Sequence, residues 1–275
     1  MIIWLASYPK SGNTWVRLFL NKLLYSRNVP LDINNIQIQQ FPNKKHFNSF
    51  VNDMSSINEL VQNYTNSQAF INLDKKIKFL KTHSANWTSG NYKFTNYENT
   101  LGTIYIVRDP RNVVTSIKNH YSKNDYEDAL NFMINEKKFI GSRHVKEEFN
   151  IPVLISSWSN HYNSWKKLNK NYILIKYENL LSDPMKEFNK ICNFIEKIIK
   201  RNFSDVDIKS SIDSCNFSEL QKQEEKVGFI ESPKRNSNKF FFLGPKNDWQ
   251  KILDIKISKK IETLFEKEMI ELGYL

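Results

Sequence analysis

The sequence has little cysteine, little glycine and no long hydrophobic run. Its 275 residues contain only two cysteines, Cys192 and Cys215, which are too few for a disulfide framework or a zinc cluster. We therefore expect reduced thiols and a cytoplasmic protein. No apolar stretch approaches the ~20 residues that a membrane span needs, so no transmembrane helix is expected. Met1 to Ala6 is apolar but has no basic region before it, and Pro9 soon follows, so we also expect no signal peptide.

Acidic residues are outnumbered by basic ones. The chain has 40 Lys plus Arg against 29 Asp plus Glu, a net charge of +11. This balance predicts an anionic partner, which can be a nucleotide, a nucleic acid, an acidic glycan or an anionic membrane surface, and charge alone does not choose among them. We interpret three basic stretches as solvated helix faces: Lys166-Lys167, Lys197 to Arg201 and Lys256 to Lys260.

Short apolar segments alternate with helical patterns along the chain. The predicted buried strands, rich in β-branched and aromatic residues, are Ile2 to Ser7, Ile77 to Thr82, Thr103 to Arg108 and Tyr172 to Tyr177. The helical patterns are Thr14 to Tyr25, Asn112 to Tyr121 after an Asp109-Pro110 start, Trp158 to Leu168, and Ile257 to Leu272. This alternation predicts an α/β fold, with a central mostly parallel sheet flanked by helices in a single domain over residues 1–275.

Two stretches do not fit the alternation. Asn34 to Asn72 is rich in Asn and Gln, and Lys118 to Phe149 is charged and aromatic. Long excursions of this kind are often lids or binding loops, although ordinary surface helices explain the pattern equally well.

The most informative segment is IIWLASYPKSGNTW, from Ile2 to Trp15. It predicts a strand, a tight loop with Gly12 and then a helix. Such a unit aims main-chain N–H groups and the positive end of the helix dipole at one point, which favours phosphate binding. Lys10, Ser11 and Thr14 add donors there. The segment is not a Walker A motif, because its Lys precedes the only Gly instead of following it.

These residues resemble the signature YPKSGTTW of sulfotransferases that use 3′-phosphoadenosine-5′-phosphosulfate (PAPS), with Asn13 in place of a Thr. The resemblance implies that the loop amides of Ser11, Gly12, Asn13 and Thr14 hold the 5′-phosphosulfate. It also implies that Lys10 neutralises charge on the bridging oxygen and that Trp15 stacks on the adenine.

Further motifs follow in the order that the resemblance requires. His83, in KFLKTH, matches the family's catalytic base, and histidine suits this role because it titrates near neutral pH. Lys81, in the same motif, is expected to orient or stabilise the equatorial sulfuryl oxygens. Arg108 and Ser116 match residues that hold the 3′-phosphate, and Tyr177 and Phe217 match adenine contacts. The other histidines are interpreted as surface or helix-packing residues: His46, His120, His144 and His161.

The C-terminal signature departs from the family pattern. The family has a stretch that resembles RKGxxGDW, and the matching stretch here runs from Phe242 to Trp249. Gly244 is retained, but Phe242 and Leu243 replace the two basic residues. We expect Lys246 to be the substitute cation on the 3′-phosphate, with Arg235 and Lys239 just upstream.

The resemblance implies in-line transfer of a sulfuryl group from PAPS to a hydroxyl acceptor, with an amine left open and adenosine 3′,5′-bisphosphate as the product. The expected acceptor is a small molecule or a glycan, without nucleic acid, a metal or a membrane span, and the oligomeric state stays open. Two alternatives remain at this point. One is a phosphate-loop nucleotide kinase or NTPase, and the other is a polyanion-binding protein whose enzyme site has decayed.

Overall fold

The structure, a computed structural model, describes residues 1–141, 151–168, 171–232 and 239–275, and two compact units divide the chain. The described residues of the first unit belong to Met1–Tyr8, Ile38–Ile106 and Asn135–Leu174. Those of the second belong to Pro9–Gln37, Val107–Ile134 and Ile175–Leu275. The single domain expected over residues 1–275 stays a prediction.

The elements confirm an α/β fold. The strands are β1 (Ile2–Ser7), β2 (Gln39–Gln40), β3 (Lys78–Thr82), β4 (Thr88–Ser89), β5 (Tyr92–Lys93), β6 (Thr100–Val107), β7 (Phe139–Ile140), β8 (Val153–Leu154) and β9 (Tyr172–Lys176). The helices are α1 (Asn13–Tyr25), α2 (Ile57–Ile71), α3 (Pro110–His120), α4 (Tyr126–Ile134), α5 (Trp158–Lys166), α6 (Tyr177–Ser182), α7 (Pro184–Ile199), α8 (Asp205–Ser214), α9 (Phe217–Val227), α10 (Trp249–Ile252), α11 (Ile255–Leu264) and α12 (Glu266–Glu271). Short 3₁₀ turns lie at Lys44–His46, Asn72–Asp74 and Gly244–Lys246.

The largest sheet has the strand order β2-β3-β1-β6-β9. Strand β1 pairs in parallel with both β3 and β6, with Ala6 opposite Thr82 and Ser7 opposite Ile106. Every residue of β1 is buried, which explains its continuous apolar run. The four predicted strands are confirmed with small shifts at their ends. Strand β2 was not predicted, because its two glutamines carry no strand signal.

Aromatic packing and α5 complete the core of the first unit. Trp4 of β1 lies 5.5 Å from the Phe41 ring and 6.0 Å from the Trp165 ring of α5. The same helix holds the chain that follows β3, because Trp165 Nε1 donates to the Ser84 carbonyl at 2.8 Å and Ser164 Oγ accepts from the Asn86 N–H at 2.9 Å. The helical spacing predicted for this segment is thus confirmed and shapes the loop after β3.

The predicted helix starts are close to those observed, and one predicted helix is divided. Asp109 caps α3 by accepting from the Arg111 N–H, with Pro110 as the first helical residue, as expected. The predicted C-terminal helix is instead α11 and α12, which are separated at Phe265. Residues Ile257, Ile261, Phe265 and Met269 are four apart, and on a straight helix each such step drifts by about 40°. The break compensates for this drift, so that Phe265 and Met269 are both buried.

The two excursions contain helices. Asn34 to Asn72 includes β2 and α2, and the described part of Lys118 to Phe149 includes α4. His144 and Arg235 lie outside the described residues. No helix of the described ranges is long and apolar enough to cross a membrane.

Candidate active site

The loop between β1 and α1 is tightly packed against an aromatic ring. Gly12 caps α1 with φ +97°, and a Cβ at this position would lie 2.3 Å from Tyr177 Cδ2. Lys10 also has a positive φ, +67°, although it is not a glycine. Ser11 is buried, and its Oγ has no hydrogen-bond partner among the described residues. The loop therefore offers a strained, donor-rich end of α1.

A buried guanidinium lies beside this loop. Arg108 is 6% exposed and donates from Nη1 to the Lys10 carbonyl at 3.1 Å and to Ser116 Oγ at 3.3 Å. Burial lowers its pKa below the ordinary value, and the nearby Tyr177 and Glu178 oppose that shift. Within the described part of the chain, Arg108 makes no ion pair and its Nε has no partner. A buried cation without a carboxylate is the arrangement expected where an anion binds.

The C-terminal stretch reaches the same place through an asparagine. Asn247 is 7% exposed, and its Nδ2 donates to Ser116 Oγ at 3.1 Å and to the Asn112 carbonyl at 2.9 Å. Its Oδ1 accepts from the Thr115 hydroxyl at 2.7 Å. The side chain of the neighbouring Lys246, the predicted substitute cation, is exposed and makes no hydrogen bond or ion pair in the described ranges.

Aromatic rings cover the two glycines that carry positive φ in this region. The Tyr177 ring lies over Gly12 and also 4.3 Å from the Arg108 guanidinium carbon. Trp15 meets the Tyr177 ring edge-on at 6.1 Å. Phe217 covers Gly244, where a Cβ would lie 2.2 Å from the ring. Within the second unit, Tyr177 thus contacts both Gly12 of the loop and Trp15, whereas Phe217 contacts Gly244.

Two side chains outside the predicted set contact Lys10. Its Nζ donates to His120 Nδ1 at 3.4 Å and lies 4.3 Å from the centroid of the Phe240 ring. His120 and Phe240 in turn meet edge-on at 5.9 Å. The Lys10 ammonium therefore lies against an imidazole nitrogen of His120 and the face of the Phe240 ring.

The predicted base lies in the first unit, directly after β3. The His83 ring contacts Ser7, with Nδ1 at 2.9 Å from the Ser7 carbonyl and 3.3 Å from its hydroxyl. A carbonyl only accepts, so Nδ1 carries the proton and the lone pair of the neutral ring is on Nε2. Ser7 ends β1, and the chain continues from it through Lys10 into the loop.

The main chain at His83 is held by a second histidine. His161 of α5 is fully buried, accepts from the Tyr105 hydroxyl at Nδ1, 2.8 Å away, and donates from Nε2 to the His83 carbonyl at 3.2 Å. Burial lowers the pKa of His161 to about 3, and the bond to His83 opposes this shift. Lys81, also buried, donates to Gln40 Oε1 of β2 at 2.9 Å.

Sequence reasoning missed Asn247, His120 and His161. Only their positions relative to known motifs distinguish them in the sequence: Asn247 stands where the pattern RKGxxGDW has its second Gly, and His120 lies four residues after Ser116. His161 has the spacing of a core residue on α5 and no other signal. No group of three or more His, Cys, Asp or Glu in the described ranges could hold a metal ion.

A strand, a glycine-containing loop, a helix and a buried arginine are the features expected of an α/β protein that binds anions. Comparison with known proteins extends this assignment. A canine protein, Sulfotransferase 1B1 of Canis lupus familiaris, is 24% identical over 273 residues, which cover 96% of this chain and 82% of the relative. The structure of mouse sulfotransferase SULT7A1 complexed with PAP has a TM-score of 0.58 at 21% identity and covers 98% of this chain and 84% of that chain.

A structure of retinol dehydratase, in complex with androsterone and inactive cofactor PAP, is also similar. Its TM-score is 0.61 at 15% identity, over 98% of this chain and 80% of that chain. At these identities the structural likeness shows the fold. The sequence profile of the family described as "Sulfotransferase domain" matches residues 2–273. The chain therefore belongs to the sulfotransferase domain family, and this enzyme is a sulfotransferase.

Proposed function

We propose that this sulfotransferase transfers a sulfuryl group from PAPS to a hydroxyl group of a small molecule, with an amine or a glycan as less favoured acceptors. When bound, PAPS supplies the sulfuryl group and leaves as adenosine 3′,5′-bisphosphate (PAP). The two similar structures contain PAP, and one also contains the steroid androsterone. The family match disfavours both alternatives, an NTPase and a decayed polyanion-binding protein.

The observation that carries the proposal is the buried guanidinium of Arg108, which makes no ion pair with any residue that the structure describes. Its Nη1 already contacts Ser116, so the two side chains would bind the 3′-phosphate together. Arginine suits this task because its planar fork matches phosphate oxygens. Trp15, Tyr177 and Phe217 would enclose the adenine, with Gly244 and Lys246 beside them.

The loop and two lysines would handle the charge of the reacting group. Main-chain N–H groups of Ser11, Gly12, Asn13 and Thr14 would hold the 5′-phosphosulfate at the positive end of α1. Lys10 would neutralise charge that develops on the bridging oxygen, and Lys81 would stabilise sulfuryl oxygens. Positioning and electrostatic stabilisation supply most of the rate in group transfers of this type.

His83 would act as the general base. The contact with Ser7 leaves the lone pair on Nε2, the nitrogen that would accept the proton of the acceptor hydroxyl. The loss of this base is expected to lower kcat by about 10²- to 10⁴-fold in a His83→Ala variant. The measurement is sulfonation of an acceptor identified by screening with labelled donor, and PAP binding by calorimetry is the control. Undiminished sulfonation with intact PAP binding would refute the assignment.

The donor assignment has its own test. Calorimetry with PAP and with ATP plus Mg²⁺ is expected to show binding of PAP in preference to ATP. Stronger ATP binding, or ATP turnover, would instead favour the NTPase alternative. We also propose a single functional domain over residues 1–275 and a cytoplasmic location, which agrees with the two free, buried cysteines.

A further inference from the structure

The hydroxyl of Ser116 is surrounded by donors. It accepts from Arg108 Nη1 at 3.3 Å and from Asn247 Nδ2 at 3.1 Å. A hydroxyl has two acceptor positions and one proton, so these two bonds use both acceptor positions. Among the described residues no group accepts the Ser116 proton. The only hydrogen bond left to this hydroxyl is one that it donates, and a phosphate oxygen is an acceptor of the matching kind.

The orientation of the Asn247 amide is determined by its neighbours. The Asn112 carbonyl can only accept, so the atom that faces it at 2.9 Å must be Nδ2. One amide hydrogen therefore goes to Asn112 and the other to Ser116. With Oδ1 bound to the Thr115 hydroxyl, the amide is held by three groups on one face of α3: the Asn112 carbonyl and the Thr115 and Ser116 hydroxyls. Asn247 has no hydrogen left for a ligand and acts on a ligand only through Ser116.

The C-terminal turn explains why Asn247, and not Lys246, reaches α3. Pro245 lies inside the turn Gly244–Lys246. The Asn247 N–H closes this turn by donating to the Gly244 carbonyl at 3.2 Å. Lys246 then points outward and is exposed, whereas Asn247 is buried. Phe242, which replaces a basic residue of the family pattern, is also exposed, at 48%.

We propose that Asn247 is a positioning residue for the donor: it orients the Ser116 hydroxyl so that this group donates to the 3′-phosphate of PAPS and PAP. The proposal rests on the proposed function, because it takes PAPS as the donor. In this chain the ordered hydroxyl, together with Arg108, takes over part of the task that the missing basic pair performs in the family pattern.

The test compares the affinities for PAP and for AMP, which lacks the 3′-phosphate. The ratio of the dissociation constant for AMP to that for PAP measures recognition of the 3′-phosphate alone, and it falls when that recognition is lost. In Asn247→Asp a carboxylate faces Ser116 and accepts a hydrogen bond from its hydroxyl, so the hydroxyl no longer donates to the ligand. We expect the ratio to fall by about 10- to 150-fold, the value of one hydrogen bond to a charged group, with AMP binding nearly unchanged.

A matched control is Asn171→Asp. Asn171 is exposed and also donates a side-chain hydrogen bond to a carbonyl, that of Leu101 at 2.8 Å. This variant makes the same change of charge away from Ser116 and should leave the ratio unchanged within about twofold. A purely structural role of Asn247 would weaken PAP and AMP binding together, which leaves the ratio unchanged and overturns the proposal.

A double-mutant cycle tests whether Asn247 acts through Ser116. Asn247→Gly introduces the residue of the family pattern without a charge, and serves also if the Asp variant does not fold. In wild type it should lower the ratio, but in a Ser116→Ala background it should have no further effect. Additive losses would overturn the proposal. If wild-type protein binds PAP no better than AMP, the proposed function itself fails. If wild type prefers PAP and the Asn247 variants keep the same ratio, only the role of Asn247 is refuted.

Discussion

Replacement of Gly12 by alanine tests the packing of the loop between β1 and α1 most directly. At φ +97° an alanine is strained, at about 1–3 kcal/mol for such a backbone. Its Cβ would also lie 2.3 Å from Tyr177 Cδ2 and 2.9 Å from Cε2, distances that real Cβ atoms do not show. The ring is stacked on Arg108, so it moves only by losing that contact. Overpacking of this kind costs about 1–3 kcal/mol, so the expected destabilisation is about 2–6 kcal/mol.

The assay is urea unfolding of wild type, Gly12→Ala and a control, Gly90→Ala. Gly90 also has a positive φ, +56°, but nothing lies within 4 Å of its added Cβ, so this variant measures the backbone cost alone, about 1–2 kcal/mol. In Gly12→Ala combined with Tyr177→Ala, the steric part should disappear and give a coupling of about 1–3 kcal/mol. Equal destabilisation by Gly12→Ala and Gly90→Ala, with no coupling to Tyr177, would refute the reasoning.

Two further predictions concern buried ionisable groups. Arg108→Met removes a buried cation that makes no ion pair with a described residue, so the ligand-free variant should be as stable to urea as wild type, or more stable. Calorimetry should show its PAP affinity lowered by at least about 100-fold. Marked destabilisation without loss of PAP binding would contradict this prediction. Burial lowers the pKa of His161 to about 3, so this residue stays neutral in the folded protein, whereas in the unfolded chain it takes up a proton below about pH 6.5. The free energy of unfolding should therefore fall by about 2 kcal/mol on its account as the pH is lowered from 7 to 5. Urea unfolding of His161→Gln should show a smaller loss over the same range. The half-buried His46, whose pKa desolvation lowers to about 4, contributes equally in both proteins. An unchanged pH dependence would count against a neutral His161.

The strands and the residues at their ends were predictable because they depend on local pattern. Strand β1 is a continuous apolar run, and its last residue, Ser7, agrees with the prediction. The Asp109-Pro110 pair set the start of α3 because its capping chemistry involves only neighbours in sequence. By contrast, β2 exists only because Gln39 and Gln40 lie beside β3, a long-range pairing without a sequence signal.

The roles of Asn247 and His161 could not be predicted, because each depends on which way one side chain points. The alignment favoured Lys246 for its charge, but the turn that begins at Gly244 directs the lysine to solvent and the asparagine to Ser116. His161 was assigned to helix packing, which its burial agrees with. Its bond to the His83 carbonyl appears only when α5 lies against the chain that follows β3.

The position of a charge matters more here than the number of charges. The lysines of the three basic stretches are exposed, where water and salt screen them, and they add little selectivity for any one anion. Arg108 is buried, so its attraction for an anion acts in a medium of low dielectric constant. A second and third buried cation beside it would repel Arg108 in the ligand-free protein. Phe242 and Leu243 add no such charge, and under our proposal the neutral amide of Asn247 contributes to donor binding by orienting the Ser116 hydroxyl beside Arg108.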